Sequence, residues 1–173
     1  MVKEKFDVKQ ILEDIFLKAL ELADPAKKIE KIKFDPPVGR LFFVAVGKGA
    51  GRLANSFKKT YPGKADGIVV IPEIEKCHEL GFEVIKSTHP IPSKKGLDAS
   101  LKILNAISKL GKDDLLIFCI SGGASALLPL PPEGFALEDE IQLNKVLLGS
   151  GLSIKEMNLY RGMFSRIKGG KLA

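Results

Sequence analysis

Four groups of residues in this chain have the types and spacing to handle negative charge. Ser121, Gly122, Gly123 and Ser125 form a loop of small side chains directly after the apolar run Leu115 to Ile120. Two hydroxyls and accessible backbone N–H groups suit a phosphate or a carboxylate; a strand-to-helix turn that needs small residues for close packing reads the same way. Lys48 stands in Val46-Gly-Lys-Gly-Ala-Gly51, at the predicted start of a helix, where N–H groups and the helix dipole favour anions. A tight turn with Lys48 in solvent fits those residues equally well. Asn158, Arg161, Ser165 and Lys168 form a row of hydrogen-bond donors, none acidic, running beside the apolar stripe Met157, Tyr160, Phe164 and Ile167. Donors in a row suit a carboxylate or phosphate, although a solvated helix face has the same make-up. His89, in Thr88-His-Pro-Ile-Pro92, either contacts a ligand or closes a loop.

Several other chemistries are excluded by spacing. Glycines at 47, 49 and 51 with arginine at 52 do not make the G-x-G-x-x-G dinucleotide fingerprint. No glycine precedes Gly47-Lys48 at the distance a Walker A loop requires. Cys119 occupies the first glycine position of a G-x-S-x-G nucleophile elbow. Asp66, Glu133 and Glu138 are isolated carboxylates, and no Cys/His metal spacing exists, so no metal ligand is assigned. The two cysteines, Cys77 and Cys119, are read as unpaired, with Cys119 packing as a small hydrophobe. His78 is read as a surface residue.

The elements that must position these residues alternate between helical and strand periods. Asp7 with Gln10 resembles a capping box, ahead of a helix carrying Val8, Ile11, Leu12, Ile15, Phe16, Ala19 and Leu20 on one face. Asp24-Pro25 ends it. Strands are expected at 41–46, 67–71, 82–87 and 115–120, with helices at about 48–59, 94–110, 137–148 and 153–167. The 94–110 helix is expected to bury Leu97, Leu101, Leu104 and Ile107 and to stop at Gly111. Ser153 with Glu156 forms a second capping box. Leu115 to Ile120 is apolar at every position, as in a strand buried on both faces at the centre of a parallel sheet. The pattern predicts a single α/β unit over 1–173: a three-layer α/β/α, Rossmann-like, mostly parallel and doubly wound sheet.

With 173 residues, 45% hydrophobic and 28% charged, the chain is ordinary for a globular protein with a real core. No apolar run approaches the ~20 residues of a membrane helix, and the N-terminus lacks a signal-peptide layout. Cytoplasmic location is expected, without a membrane partner. Net charge is +6 and pI about 9.2. Its lysines are scattered, with no basic run and little aromatic interleaving, so no nucleic-acid partner is expected.

Taken in order, Val46-Gly-Lys-Gly-Ala50, His89-Pro-Ile-Pro92, Ile120-Ser-Gly-Gly-Ala-Ser-Ala-Leu-Leu128, Leu147-Leu-Gly-Ser-Gly151, Ile154-Lys-Glu-Met-Asn158, Arg161, Ser165 and Lys168-Gly-Gly170 resemble the class II glycerate kinases (glycerate 2-kinases). The resemblance covers nearly the whole chain from the first strand onward. It implies ATP- and Mg²⁺-dependent phosphorylation of D-glycerate to 2-phosphoglycerate, with Lys48 catalytic. Ser121, Gly122, Gly123, Ser125, Asn158, Arg161 and Lys168 would then bind substrate or phosphate. It implies the N-terminal part of a longer two-domain kinase, with the metal-binding carboxylates and adenine pocket beyond residue 173; by itself the chain is expected to be truncated and inactive. A homodimer is allowed. Position 124 is alanine where the family pattern has a third glycine, and position 93 is serine where an acid is common. Two other classes stay open: a non-catalytic module binding sugar phosphates or organic acids through the same loop, and a structural half that works only with a partner.

Overall fold

The computed structural model describes residues 7–75 and 81–172; Cys77 and His78 lie outside them. Four strands form one parallel sheet in the order β3-β2-β1-β4: β1 (Leu41–Val46), β2 (Asp66–Pro72), β3 (Glu83–Ser87) and β4 (Leu115–Ile120). The chain runs outward from β1 to β3 and then returns to place β4 on the free side of β1. That reversal defines a doubly wound sheet with a switch point between β1 and β4.

Both faces of β1 and β2 are apolar because both faces are covered. Phe43, Ala45, Val69 and Ile71 point to one side, against Leu53, Ala54 and Phe57 of α3 (Ala50–Thr60). There Phe57 stacks between Phe43, at 4.4 Å, and Tyr61, at 5.2 Å, so truncating Phe57 would cost about 3–5 kcal/mol. Val44, Val46, Ile68 and Val70 point the other way, toward Ala99 and Ile103 of α4 (Lys94–Ile107) and Leu127 of the short α5 (Ala124–Leu127). The three-layer α/β/α expectation is met.

Three expectations change. β4 is not central among the described strands. It pairs only with β1, its residues are half-buried, and Ile120 is 70% exposed. The sequence of a two-face-buried strand therefore stands at the edge of the sheet that the described strands form. Helix α4 turns small residues inward: Gly96, Ala99, Ser100 and Ile103 are buried while Leu101 is exposed. Close approach explains this, since a Cβ on Gly96 would lie 2.8 Å from both Pro129 Cδ and Ser87 Oγ. The helix also closes at Ser108 rather than Gly111, whose N–H goes to Asp114 Oδ2 at 2.9 Å.

Helix α1 (Val8–Ala23) is capped by Asp7 as expected, yet buries none of its residues. Asp24 ends it and caps α2 (Pro25–Ile29), which the sequence reading did not separate. After the prolines at 129–132, α6 (Leu137–Gly149) and α7 (Ile154–Met163) pack against each other. Ser153 and Glu156 make the reciprocal capping box that opens α7.

Candidate functional site

The loops that follow β1 and β4 meet at the switch point, the crevice where doubly wound sheets place ligands. Gly47 ends β1 with φ +116°, and a Cβ there would stand 2.6 Å from the Ser121 carbonyl oxygen. Only glycine fits that approach. The Lys48 N–H donates to the Gly122 carbonyl at 2.8 Å, and the Ser121 N–H donates to the Val46 carbonyl at 2.9 Å. Ser121 Oγ accepts the Gly49 N–H at 3.0 Å. Among the described residues no acceptor takes the N–H of Gly122 or Gly123.

Gly123 adopts φ +88°, and the space a Cβ would fill is bordered by His89 Nε2 at 3.0 Å and Lys48 Cγ at 3.5 Å. Lys48, His89 and the Ser/Gly loop therefore converge, with the Lys48 side chain in solvent. Partial burial raises the Glu75 carboxyl, and the Lys48 charge acts against that rise, which puts Glu75 within electrostatic reach of the lysine.

The donors from the last helix belong to a second cluster. Helix α7 stops at Met163, so Ser165 and Lys168 do not continue its face. Ser165 is buried, and its Oγ accepts the N–H groups of Ile167 and Lys168, shaping a turn. Arg161 Nε donates to Asn144 Oδ1 at 2.8 Å and its Nη1 to Asn158 Oδ1 at 3.1 Å. Lys168 Nζ lies 2.6 Å from Glu140 Oε1. The stripe expected from sequence is a network centred on α6, and Glu140 and Asn144 are the members that the sequence reading passed over. Glu140 had no distinguishing signal there, being one of three consecutive acids in the first turn of α6.

The clusters approach each other across a cavity of about 460 Å³ along the open face of β4, lined by Val46, Phe118, Ser125, Leu128, Ile167 and Lys168. Ser125 and Lys168 supply polar groups to an otherwise apolar wall. Burial pushes the Lys168 ammonium below its ordinary pKa and the Arg161 charge adds to that; Glu140 opposes both. Desolvation raises the Cys119 thiol in β4. Among the described residues no group of three or more His, Cys, Asp or Glu is placed to hold a metal ion, and no helix is long and apolar enough to cross a membrane.

An all-parallel doubly wound sheet with glycine loops converging at its switch point defines a class of ligand-binding α/β protein. The family described as Domain of unknown function (DUF4147) matches residues 11–173, and the chain belongs to it, the N-terminal part of the glycerate 2-kinases. The resemblance drawn from the motifs is thus borne out. The chain is 32% identical over 170 residues to the D-glycerate 2-kinase of Thermotoga maritima, covering 96% of this chain and 40% of that protein. A protein of Agrobacterium vitis that carries a provisional hydroxypyruvate reductase name is 36% identical over 166 residues, 95% of this chain and 38% of its own length. The crystal structure of a glycerate kinase from Thermotoga maritima superposes with a TM-score of 0.81 over 95% of this chain and 40% of that one, at 32% identity. The chain therefore spans about two-fifths of the length of the relatives it matches.

Proposed function

We propose that this chain supplies the anion-holding part of a glycerate 2-kinase, the whole protein transferring a phosphoryl group from ATP to the 2-hydroxyl of D-glycerate. The observation that carries the reading is the convergence of Lys48 on Gly123 beside the N–H groups of Gly122 and Gly123. Substrate carboxylate, product phosphate and transferring phosphoryl are all anionic, and such reactions depend on positioning and positive charge more than on covalent chemistry.

A phosphate group fits these residues. Lys48 would neutralise it, the Gly122 and Gly123 N–H groups would donate to its oxygens, and Ser125 with Lys168 would close the far side. ATP supplies the phosphoryl group when bound. Among the described residues no group of three or more His, Cys, Asp or Glu is placed to hold Mg²⁺ by itself.

Hydride transfer is the competing reading raised by the relative with the reductase name. Arg52 argues against a dinucleotide at this loop, because it stands at the third-glycine position and its guanidinium pairs with Asp24. Binding discriminates the two. Thermal-shift titrations with D-glycerate, 2-phosphoglycerate, a hexose phosphate, Mg-ATP and NADH should raise the midpoint with glycerate or its 2-phosphate by mass action. A shift with NADH alone, or with the hexose phosphate alone, would replace the kinase reading.

A further inference from the structure

Helix α6 carries the partners of both cations in the second cluster. Glu140 is 3% exposed; its Oε1 accepts from Lys168 Nζ, and its Oε2 is buried with no hydrogen-bond partner among the described residues. One turn on, Asn144 accepts from Arg161, while its own amide donates to the Glu140 carbonyl at 2.8 Å. Residues four apart on a helix share a face, so one face of α6 fixes the guanidinium and the ammonium together. The Lys168 side chain is 16% exposed, and Lys168 lines the same cavity as Ser125.

A buried ion pair is weak evidence for stability, since taking both charges out of water offsets most of their attraction. This pair also leaves a carboxylate oxygen unsatisfied. Lys168 lines the cavity with Glu140 behind it, outside the lining, and that placement calls for a different role. We infer that Glu140 is a positioning residue: it holds Lys168 at the cavity wall beside Ser125, so that the Glu140–Lys168–Arg161 trio presents net positive charge to an incoming anion. The inference rests on the reading of Lys168 as an anion-holding group.

The physical consequence concerns the charge state of Lys168. Lys168 faces Glu140 from α6 and Arg161 from α7, with Arg166 and Lys171 on its own turn. Burial and Arg161 both favour the neutral amine; Glu140 opposes them. Without the carboxylate charge, Lys168 held at the wall sheds its proton at lower pH.

The test is ¹³C NMR titration of the Lys168 Cε signal in the chain, assigned with Lys168→Met, alongside titration with 2-phosphoglycerate. In Glu140→Gln, the Lys168 midpoint should fall by about one unit or more and 2-phosphoglycerate affinity by about tenfold. A Lys168 midpoint unchanged or raised in Glu140→Gln would overturn the inference while leaving the kinase reading intact. Undiminished 2-phosphoglycerate binding in Lys168→Met would overturn both the anion-holding role of Lys168 and what depends on it. Should Glu140→Gln fail to fold, Glu140→Asp withdraws the same charge by one methylene. A lower Lys168 midpoint there supports the inference, and an unchanged one contradicts it.

Discussion

Ser121 Oγ accepts the Gly49 N–H at 3.0 Å and donates to the Val46 carbonyl at 3.1 Å, tying the end of β1 to the end of β4. A hydroxyl has one hydrogen to donate, and this one is committed to the scaffold. Ser121 therefore builds the crevice, and the proposed ligand contacts fall to Lys48, Ser125 and the Gly122 and Gly123 N–H groups.

The two glycines of the crevice should respond differently to a methyl group. Gly47→Ala would force an L-residue to φ +116° and drive its Cβ onto the Ser121 backbone, whereas a Cβ on Gly122 meets nothing within 4 Å. Gly47→Ala should destabilise the chain by about 1–3 kcal/mol or more, and Gly122→Ala by well under 1. Thermal or urea melts decide it; equal losses would mean that the β1–β4 junction is looser than described.

The Glu140–Lys168 pair should couple strongly in a double-mutant cycle. Removing one partner leaves an uncompensated buried charge, at a cost of about 3–5 kcal/mol, whereas removing both is much milder. Glu140→Leu with Lys168→Met should thus recover about 2 kcal/mol or more of the summed single losses. Additive losses would show that the two side chains do not face each other. Because burial holds Lys168 below its unfolded value, the charged lysine opposes folding at neutral pH. Stability attributable to it rises as pH climbs through its folded value toward that of the unfolded chain.

Acid should release one identifiable clasp. Asp114 accepts from the Arg40 N–H at 2.6 Å, the Gly111 N–H at 2.9 Å and the Arg40 guanidinium at 3.2 Å, which lowers its carboxyl to about 2. A depressed carboxyl contributes its stability above the unfolded value, and that contribution is lost as pH falls toward 2. Asp114→Asn should be less stable than the parent at pH 7 and indistinguishable from it near pH 2. A constant difference across that range would assign the effect to something other than the charge.

Apolar residues on the open side of β4 should make the isolated chain sticky. Ile120 is 70% exposed, at the edge of a strand apolar throughout, and such an edge invites pairing with another chain. Light scattering across a concentration series should reveal self-association, reduced by Ile120→Lys. A strictly monomeric parent at high concentration would refute this.

Strong periodicity made β1, β2, β4 and the main helices legible from sequence. It also placed Lys48 and the Ser/Gly loop at strand ends, so half of the candidate site was readable. What escaped had physical reasons. An apolar strand announces its two-faced burial, not which neighbours flank it, so β4 was expected at the centre. The inner face of α4 was misassigned because side-chain size stood in for burial, while the close approach at Gly96 selects small residues. Lys168 is placed by a turn organised around Ser165, and no period extends through a turn. Glu140 sits among the helix-opening acids at 138–140, whose type alone reads as favourable interaction with the dipole.

The most direct test of the central claim is calorimetric titration of 2-phosphoglycerate into this chain, parent against Lys48→Ala. Lys48 is exposed, so its loss should leave the fold intact, as circular dichroism would verify. The account predicts measurable binding by the parent, weakened about tenfold or more in Lys48→Ala and accompanied by loss of the ligand-induced rise in Tm. Equal binding by both proteins would contradict it, removing Lys48 from the site and the crevice from the proposed chemistry.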